Sequence, residues 1–341
     1  MRLRAAQWDS ALARWVRLGV NVLAIAALMY AATTYGATPN YPVRPIRLIV
    51  PYPPGAGTDF TARELGAQFS KALGQPVVID NRAGAAATLG HGIAAKSPPD
   101  GYTLLLGTTG GLVSGPALMG SKVPYDPLRD FATIGLATYV PYALAATASL
   151  PVQNVKELIE LARSAPRKLN VASPGVGTPN HLGAAQLMTL TGIELVHVPY
   201  KGASFAVTDL ISGRVELLVT GLLQLLPHQR AGRLKILGIG HTQRLRSQPD
   251  IPTIAETIPG YYNTGWWGIV APKGTPKTIV DQLNAIMNKA LATPDMLQRF
   301  ERNGLEVATS TPDGYHDLIK SDLQMWTKLI HDAKITVDVL P

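Results

Sequence analysis

"VPYPPGAGTDF", residues 50–60, and "ASPGVGTPNHL", residues 172–182, are two versions of one recipe. Each follows a short apolar run, crowds glycine and proline into a few positions, and ends on residues able to cap a helix. In the first, Gly55 and Gly57 permit positive φ and close backbone approach. The prolines stiffen the turn, and Thr58 or Asp59 supplies a cap. In the second, Ser173, Gly175 and Gly177 precede Thr178 at the expected N-cap, with Pro179 at the first helical position. Such a helix start offers unpaired N–H groups and the positive end of the helix dipole, a setting that suits an anion. A third glycine-rich turn, residues 107–111, adds the hydroxyls of Thr108 and Thr109. Any strand-to-helix turn uses glycine and a cap; two such loops, one in each half of the chain, favour an anion site.

The surroundings of these loops set the fold class. "PIRLIVPY" (residues 45–52) is a short β-branched apolar run, which predicts a buried strand. The stretch 58–74 has Phe60, Leu65, Phe69 and Leu73 at helical spacing and Gly74 as a stop. "PVVIDNRAG" (76–84) predicts a second strand, residues 86–97 a helix of small residues, and "GYTLLLGTTGG" (101–111) a third strand. Near residue 140 the alternation restarts: helices over 155–166, 179–192 and 204–213 are interleaved with strands over 168–173, 194–200 and 215–221, and residues 227–240 add a short helix and a strand. A proline-rich irregular stretch, 246–276, precedes two long helices over 276–292 and 312–330. Strand and helix alternating in this way predict two α/β lobes with mostly parallel sheets, the second inserted into the first.

The 341 residues exceed what one core comfortably holds, so two domains are expected. The chain has no cysteine, which excludes disulfides, thiol nucleophiles and cysteine-rich metal sites. Residues 1–37 carry Arg2, Arg4, Arg14 and Arg17, an apolar run over 18–32 and small residues near Gly36 and Ala37. This pattern predicts a cleavable secretory signal peptide; the apolar run, broken by Gly19 and Asn21, is short of the ~20 residues that span a bilayer. Four arginines against Asp9 make this segment account for three of the eight formal positive charges. The remaining Lys and Arg are scattered, without the clusters of a nucleic-acid surface.

Catalytic signatures are missing. The nearest approach to G-x-S-x-G is "GASFA" (202–206), which lacks the final glycine. The seven histidines form no HExxH and no pair at ligand spacing, G-x-x-x-x-G-K-[ST] is absent, and "GAGTDF" lacks the third glycine of a dinucleotide fingerprint. No metal or cofactor is expected.

"PYPPGAGTDFTAR" (51–63), "IDNRAGAAATLG" (79–90), "SPPDGYTLLLG" (97–107), "PYDPLRDF" (124–131), "HLGAAQL" (181–187), "HVPYKGA" (197–203), "IPTIAE" (251–256) and "TPKTIVDQLNAIMNKAL" (275–291) together resemble the tripartite tricarboxylate transporter substrate-binding proteins, also called Bug receptors. The resemblance runs from about residue 41 to the C-terminus. It implies an α/β fold of the periplasmic binding protein type II (Venus flytrap) kind, two lobes joined by two crossing strands. Lobe 1 would be residues 41–141 plus 263–341 and lobe 2 residues 142–262. A small carboxylate would be held between them by backbone amides, hydroxyls and waters. Carried over by position, contacts from lobe 1 would come from Tyr52, Pro54, Gly55, Ala56, Gly57, Thr58, Asp59, Thr108, Thr109 and Gly110. Those from lobe 2 would come from Ser173, Gly175, Gly177, Thr178 and His181, with Lys201 and Asp209 nearby. Ala56 stands where the family usually has glycine, and "NRAGAAATLG" replaces a more glycine-rich loop, so ligand identity is open.

Each candidate has a plainer role beside it. Asp59 could meet a ligand ammonium or cap its helix; Lys201 could complement a carboxylate or lie on the surface. His181 could donate to a ligand or pack beneath the loop, and Asp209 could be a ligand contact or a hydrogen-bonding residue of its helix. Trp266 and Trp267, in the expected return crossing, could stack on an aromatic carboxylate or pack the hinge. The expected function is a periplasmic, monomeric solute receptor for a di- or tricarboxylate, acidic amino acid or aromatic acid. It would deliver this ligand to the membrane subunits of a transporter or to a signalling protein. The alternatives are an exported hydrolase of small esters or amides, with Ser204 as nucleophile, and a ligand sensor without transport.

Overall fold

In a computed structural model of the chain, one strand of 17 residues organises the molecule. The structure describes residues 41–55, 57–84, 87–333 and 335; residues 1–40, with the expected signal peptide, lie outside the described set, as does Ala56. The long strand is β4 (Phe131–Thr147). Its first part pairs antiparallel with β9 (Thr264–Pro272), from Phe131 opposite Pro272 to Pro141 opposite Thr264. Its last part, Tyr142–Thr147, pairs instead with β7 (Leu217–Gly221) and β8 (Leu234–Ile239). The change of partner falls at Pro141, which has no N–H to give to a ladder and is tolerated where pairing is interrupted.

On one side of this switch, β1 (Ile46–Val50) lies parallel to both β2 (Val77–Asn81) and β3 (Thr103–Thr108), and β3 runs antiparallel to β9. Ile46, Leu48, Ile49 and Val50 are all fully buried, as a parallel strand covered on both faces requires. The covering helices are α1 (Gly57–Leu73), α2 (Thr88–Ala95), the short α3 (Gly115–Met119), α8 (Lys277–Leu291) and, at the C-terminus, α10 (Pro312–Asp332). Helix α9 (Pro294–Arg302), between the last two, was not expected from the sequence; Thr293 caps it through the N–H of Met296. The short β10 (Glu306–Val307) pairs with β4.

On the other side, β5 (Asn170–Ser173) lies parallel to β6 (Val196–Pro199) and β7. Around this half-sheet lie α4 (Val155–Ser164), α5 (Pro179–Thr191), α6 (Ala203–Ile211) and α7 (Leu222–Arg230). Alternation along β4 feeds two cores. Leu144 and Ala146 join Val171, Leu187, Leu217 and Val219, whereas Ala143 and Ala145 join Leu210, Leu218, Leu225 and Ile236. The alanines keep that second face thin enough for α6 and α7 to approach the strands.

The tryptophan pair divides in the same way. Trp266 is fully buried with Tyr315, Ile319 and Trp326, and its indole N–H donates to Asp322 at 2.7 Å. Burial pushes the Asp322 carboxyl up from 3.8 to about 6, the indole hydrogen bond offsetting this only in part. A carboxyl with a raised folded-state pKa binds its proton more tightly in the fold. Its ionisation therefore costs stability progressively between about pH 4 and 6, by about 1–3 kcal/mol once complete. Asp322→Asn keeps an acceptor for Trp266 and removes the ionisation. Relative to the variant, the wild type is expected to lose about that much stability between pH 4.5 and 7.5 in urea titrations. Parallel stability profiles would show that Asp322 carries no such penalty.

Candidate functional site

A cavity of about 330 Å³ opens beside the point where β4 changes partners, and Val140, Pro141 and Tyr142 form its floor. Four helices begin on its walls. Gly57 and Thr58 open α1, Asn180 stands in the first turn of α5, Ala203 opens α6, and Leu222–Gln224 open α7. The first N–H groups of a helix have no partner within it, so all four starts direct donors and positive dipole ends at one space. Among the described residues lining it, none is Asp, Glu, Lys, Arg or His.

Side chains add to this. Thr58 Oγ1 is buried and has no hydrogen-bond partner in the protein. An unpartnered buried hydroxyl costs about 1–3 kcal/mol, and Thr58 is one of the residues that line the cavity. Asn180, 7% exposed, lines the same space from the other wall. The edge of the Trp267 indole closes over Gly57 so tightly that a Cβ there would sit 2.8 Å from Cη2. Across the mouth, Gly304 (φ +63°) meets Leu223, and a Cβ on Gly304 would be 2.6 Å from that of Leu223.

The residues singled out in the sequence divide into those that reach this cavity and those that build it. Tyr52, Gly57 and Thr58 line it. Pro54, Gly55 and Lys201 are exposed and lie outside the lining, and Ala56 is outside the described residues. Asp59 is 5% exposed and faces inward to its own loop, accepting from Arg63, Gly55 N–H and Asn81. The Arg63 guanidinium above all, with the Gly55 N–H and Asn81, holds its carboxyl below the usual range despite burial. Thr109 Oγ1 accepts from Trp266 N–H at 2.7 Å and donates to its carbonyl, stapling the glycine turn to β9. Thr108 accepts from Gly111 N–H and hydrogen-bonds Tyr52, and Gly110 leaves room for the Tyr52 hydroxyl, so this turn backs the cavity without lining it.

In the second loop the polar side chains are engaged with one another. The Gly175 carbonyl accepts from Thr178 Oγ1 (2.8 Å) and Ser173 Oγ (3.1 Å). Gly177 N–H donates to His181 Nδ1, and His181 stacks on His197 with ring centres 3.8 Å apart. His197 Nε2 lies 2.7 Å from Ser173 Oγ. Burial lowers both imidazoles, His197 to about 4 with the neighbouring ring contributing, which suits an acceptor role for Nδ1 of His181. Ser173, Gly175, Gly177, Thr178 and His181 thus shape the loop that presents Asn180. Asp209 is bound to Tyr200 (2.8 Å) and Arg214 (3.0 Å), away from the lining.

Sequence reasoning missed Asn180, Tyr142, Leu222–Gln224 and residues 303–305, and it treated the two tryptophans alike. Period-two alternation through "TGWWG" carried a signal for the last: adjacent strand residues face opposite sides, so Trp266 enters the core and Trp267 the cavity.

A sequence model described as tripartite tricarboxylate transporter family receptor matches residues 61–335. The chain belongs to that family. It is 35% identical to the protein BugT of Bordetella pertussis over 296 residues, 86% of this chain and 90% of that one. Among solved structures, it is similar to Rpa4515 of R. palustris, determined with adipate (34% identity, TM-score 0.76, 87% of this chain and 99% of that one). It is also similar to MatC of Rhodopseudomonas palustris, determined with bound malate (32% identity, TM-score 0.71, 85% and 100%). The fold is also that of the periplasmic binding protein BugD (32% identity, TM-score 0.72, 87% of this chain and 99% of that one), and no helix among the described residues is long and apolar enough to cross a membrane.

Because Gly57 carries the Trp267 edge, Gly57→Val is expected to displace the indole and close the α1 side of the cavity. The variant should melt within a few degrees of the wild type, since Gly57 lies at a helix start and at the edge of the core. Ligand-induced stabilisation should vanish. A folded variant with unchanged ligand response would remove the first loop from the site.

Proposed function

We propose that this receptor closes two lobes, residues 41–141 plus 263–341 and residues 142–262, on a small carboxylate in the cavity and delivers it to the membrane subunits of a tripartite transporter. The observation that carries this reading is the convergence of four helix starts on a cavity with no charged side chain among the described residues that line it, beside a buried hydroxyl without a partner. A carboxylate is the complement: it accepts several N–H and O–H donors at once, and such charge-assisted bonds are about twice as strong as neutral ones. The adipate and malate bound by the two similar proteins support it. Residues 1–37 would act as the export signal, and the mature chain would work as a monomer in the periplasm.

Closure follows from the placement of the donors. One helix start, α1, belongs to the first lobe and three belong to the second, so only the closed arrangement gives the anion all four. The ligand then shifts the open–closed equilibrium by its differential affinity. The Gly304–Leu223 contact is the seam where the lobes would meet.

A hydrolase is the weaker reading. Of the hydroxyls near a helix start, Ser204 has no imidazole bonded to it among the described residues. The Ser173–His197 pair is fully buried on the serine side and tied into the Gly175 loop. Neither offers an accessible nucleophile with its base. A sensor without transport would use the same cavity and differs only in its partner.

The test is a thermal-shift screen against small carboxylates, with esters and sugars as controls, followed by titration on Thr58→Val. Ligand at a hundredfold its Kd should add about 2.7 kcal/mol, a rise of several degrees. Thr58→Val is expected to leave stability unchanged or slightly higher, because the hydroxyl it removes has no partner. It should weaken the bound carboxylate about 10- to 100-fold, the worth of a hydrogen bond to a charged group. A flat response to every acid, with hydrolysis of an ester control, would overturn the receptor reading.

A further inference from the structure

We infer that the anion this cleft selects is an aromatic monocarboxylate, its carboxylate at the helix starts and its ring on Trp267. This rests on the receptor reading above and narrows it. Away from the helix starts, the lining is mostly apolar and ring-bearing, with Thr220 and Asn303 as polar members. Trp267, Tyr52 and Tyr142 contribute three aromatic side chains to one cavity of about 330 Å³, and Pro141, Leu223 and Leu305 fill the gaps between them. Trp267 is half-buried and lines this space, whereas its neighbour Trp266 is fully buried.

Three physical terms favour a ring. First, aromatic pairs in offset or edge-on contact gain about 0.5–1.5 kcal/mol beyond area burial, and three rings are in reach. Second, a second or third carboxylate would have to lie among apolar walls. With no cationic side chain in the lining, each further charge would be desolvated without a counter-charge. Third, a rigid ring avoids the ordering cost that a methylene chain pays on binding.

Titration calorimetry with benzoate, adipate, malate and citrate, on the wild type and two variants, tests this. Benzoate is expected to bind at least tenfold tighter than malate or citrate and tighter than adipate. Trp267→Phe should keep benzoate affinity within about fivefold. Trp267→Ala, checked for an intact fold by its melting curve, should lose at least tenfold for benzoate. Tight malate, citrate or adipate binding with weak benzoate binding would overturn the inference and leave the receptor reading intact. So would tight benzoate binding indifferent to Trp267→Ala. If no carboxylate binds at all, the receptor reading fails and this inference with it.

Discussion

A strand that must serve two sheets cannot keep one set of partners, and the exchange at Pro141–Tyr142 is the constraint on which the rest of this molecule depends. Upstream of it the ladder belongs to β9; downstream it belongs to β7 and β8. Proline at the exchange removes a donor that neither ladder could use. Because the two half-sheets part at this point, the ends of their strands and the loops that follow them face a common gap. Ligands in open α/β sheets collect beyond the carboxyl ends of strands. Here β1 leads into α1, β5 into α5, β6 into α6 and β7 into α7, and all four helix starts reach the same cavity.

The two loops that decide the fold were readable because their logic is local. Proline, positive-φ glycine and a capping hydroxyl act within a few residues, so Thr178 caps α5 through His181 N–H as its position demands. The buried parallel strand Ile46–Val50 announced itself by composition in the same way. What was not readable depends on distance in the fold. Ser173, Thr178 and His181 look like ligand donors in the sequence; in space they satisfy the Gly175 carbonyl, the Gly177 N–H and one another. Asn180, one residue before the histidine that drew attention, is the residue of this helix start that lines the cavity. Leu223 and Gly304 are 81 positions apart and touch only because the halves fold together. No periodicity marks such a pair.

The polar residues behind the cavity explain how backbone donors can act as a recognition surface. A loop rich in glycine is floppy unless something else fixes it. In the first loop Asp59 does this, gathering Gly55 N–H, Asn81 and Arg63 on one carboxylate. In the second, the stacked and neutral His181 and His197 do it with Ser173. Both clusters put their carboxylate and imidazole groups beneath the loops, and no Asp, Glu, Lys, Arg or His is among the described residues that line the cavity. The charge of the ligand is then the main charge in the cleft, met by dipoles that are already oriented.

That arrangement bears on reversibility. A buried lysine or arginine in the cleft would need desolvation in the empty state and would bind its counter-ion tightly enough to slow release. Helix starts carry about half a charge each and remain hydrated when the cleft is open. The proposed closure would remove their water and raise the strength of each N–H···O bond together, concentrating affinity in the closed state. A receptor that must give up its cargo would benefit from this division: on the proposed lobe division, opening would separate α1 from α5, α6 and α7, and the anion would lose part of its donor set in one movement. The contact of Leu223 with Gly304 would add apolar surface to closure.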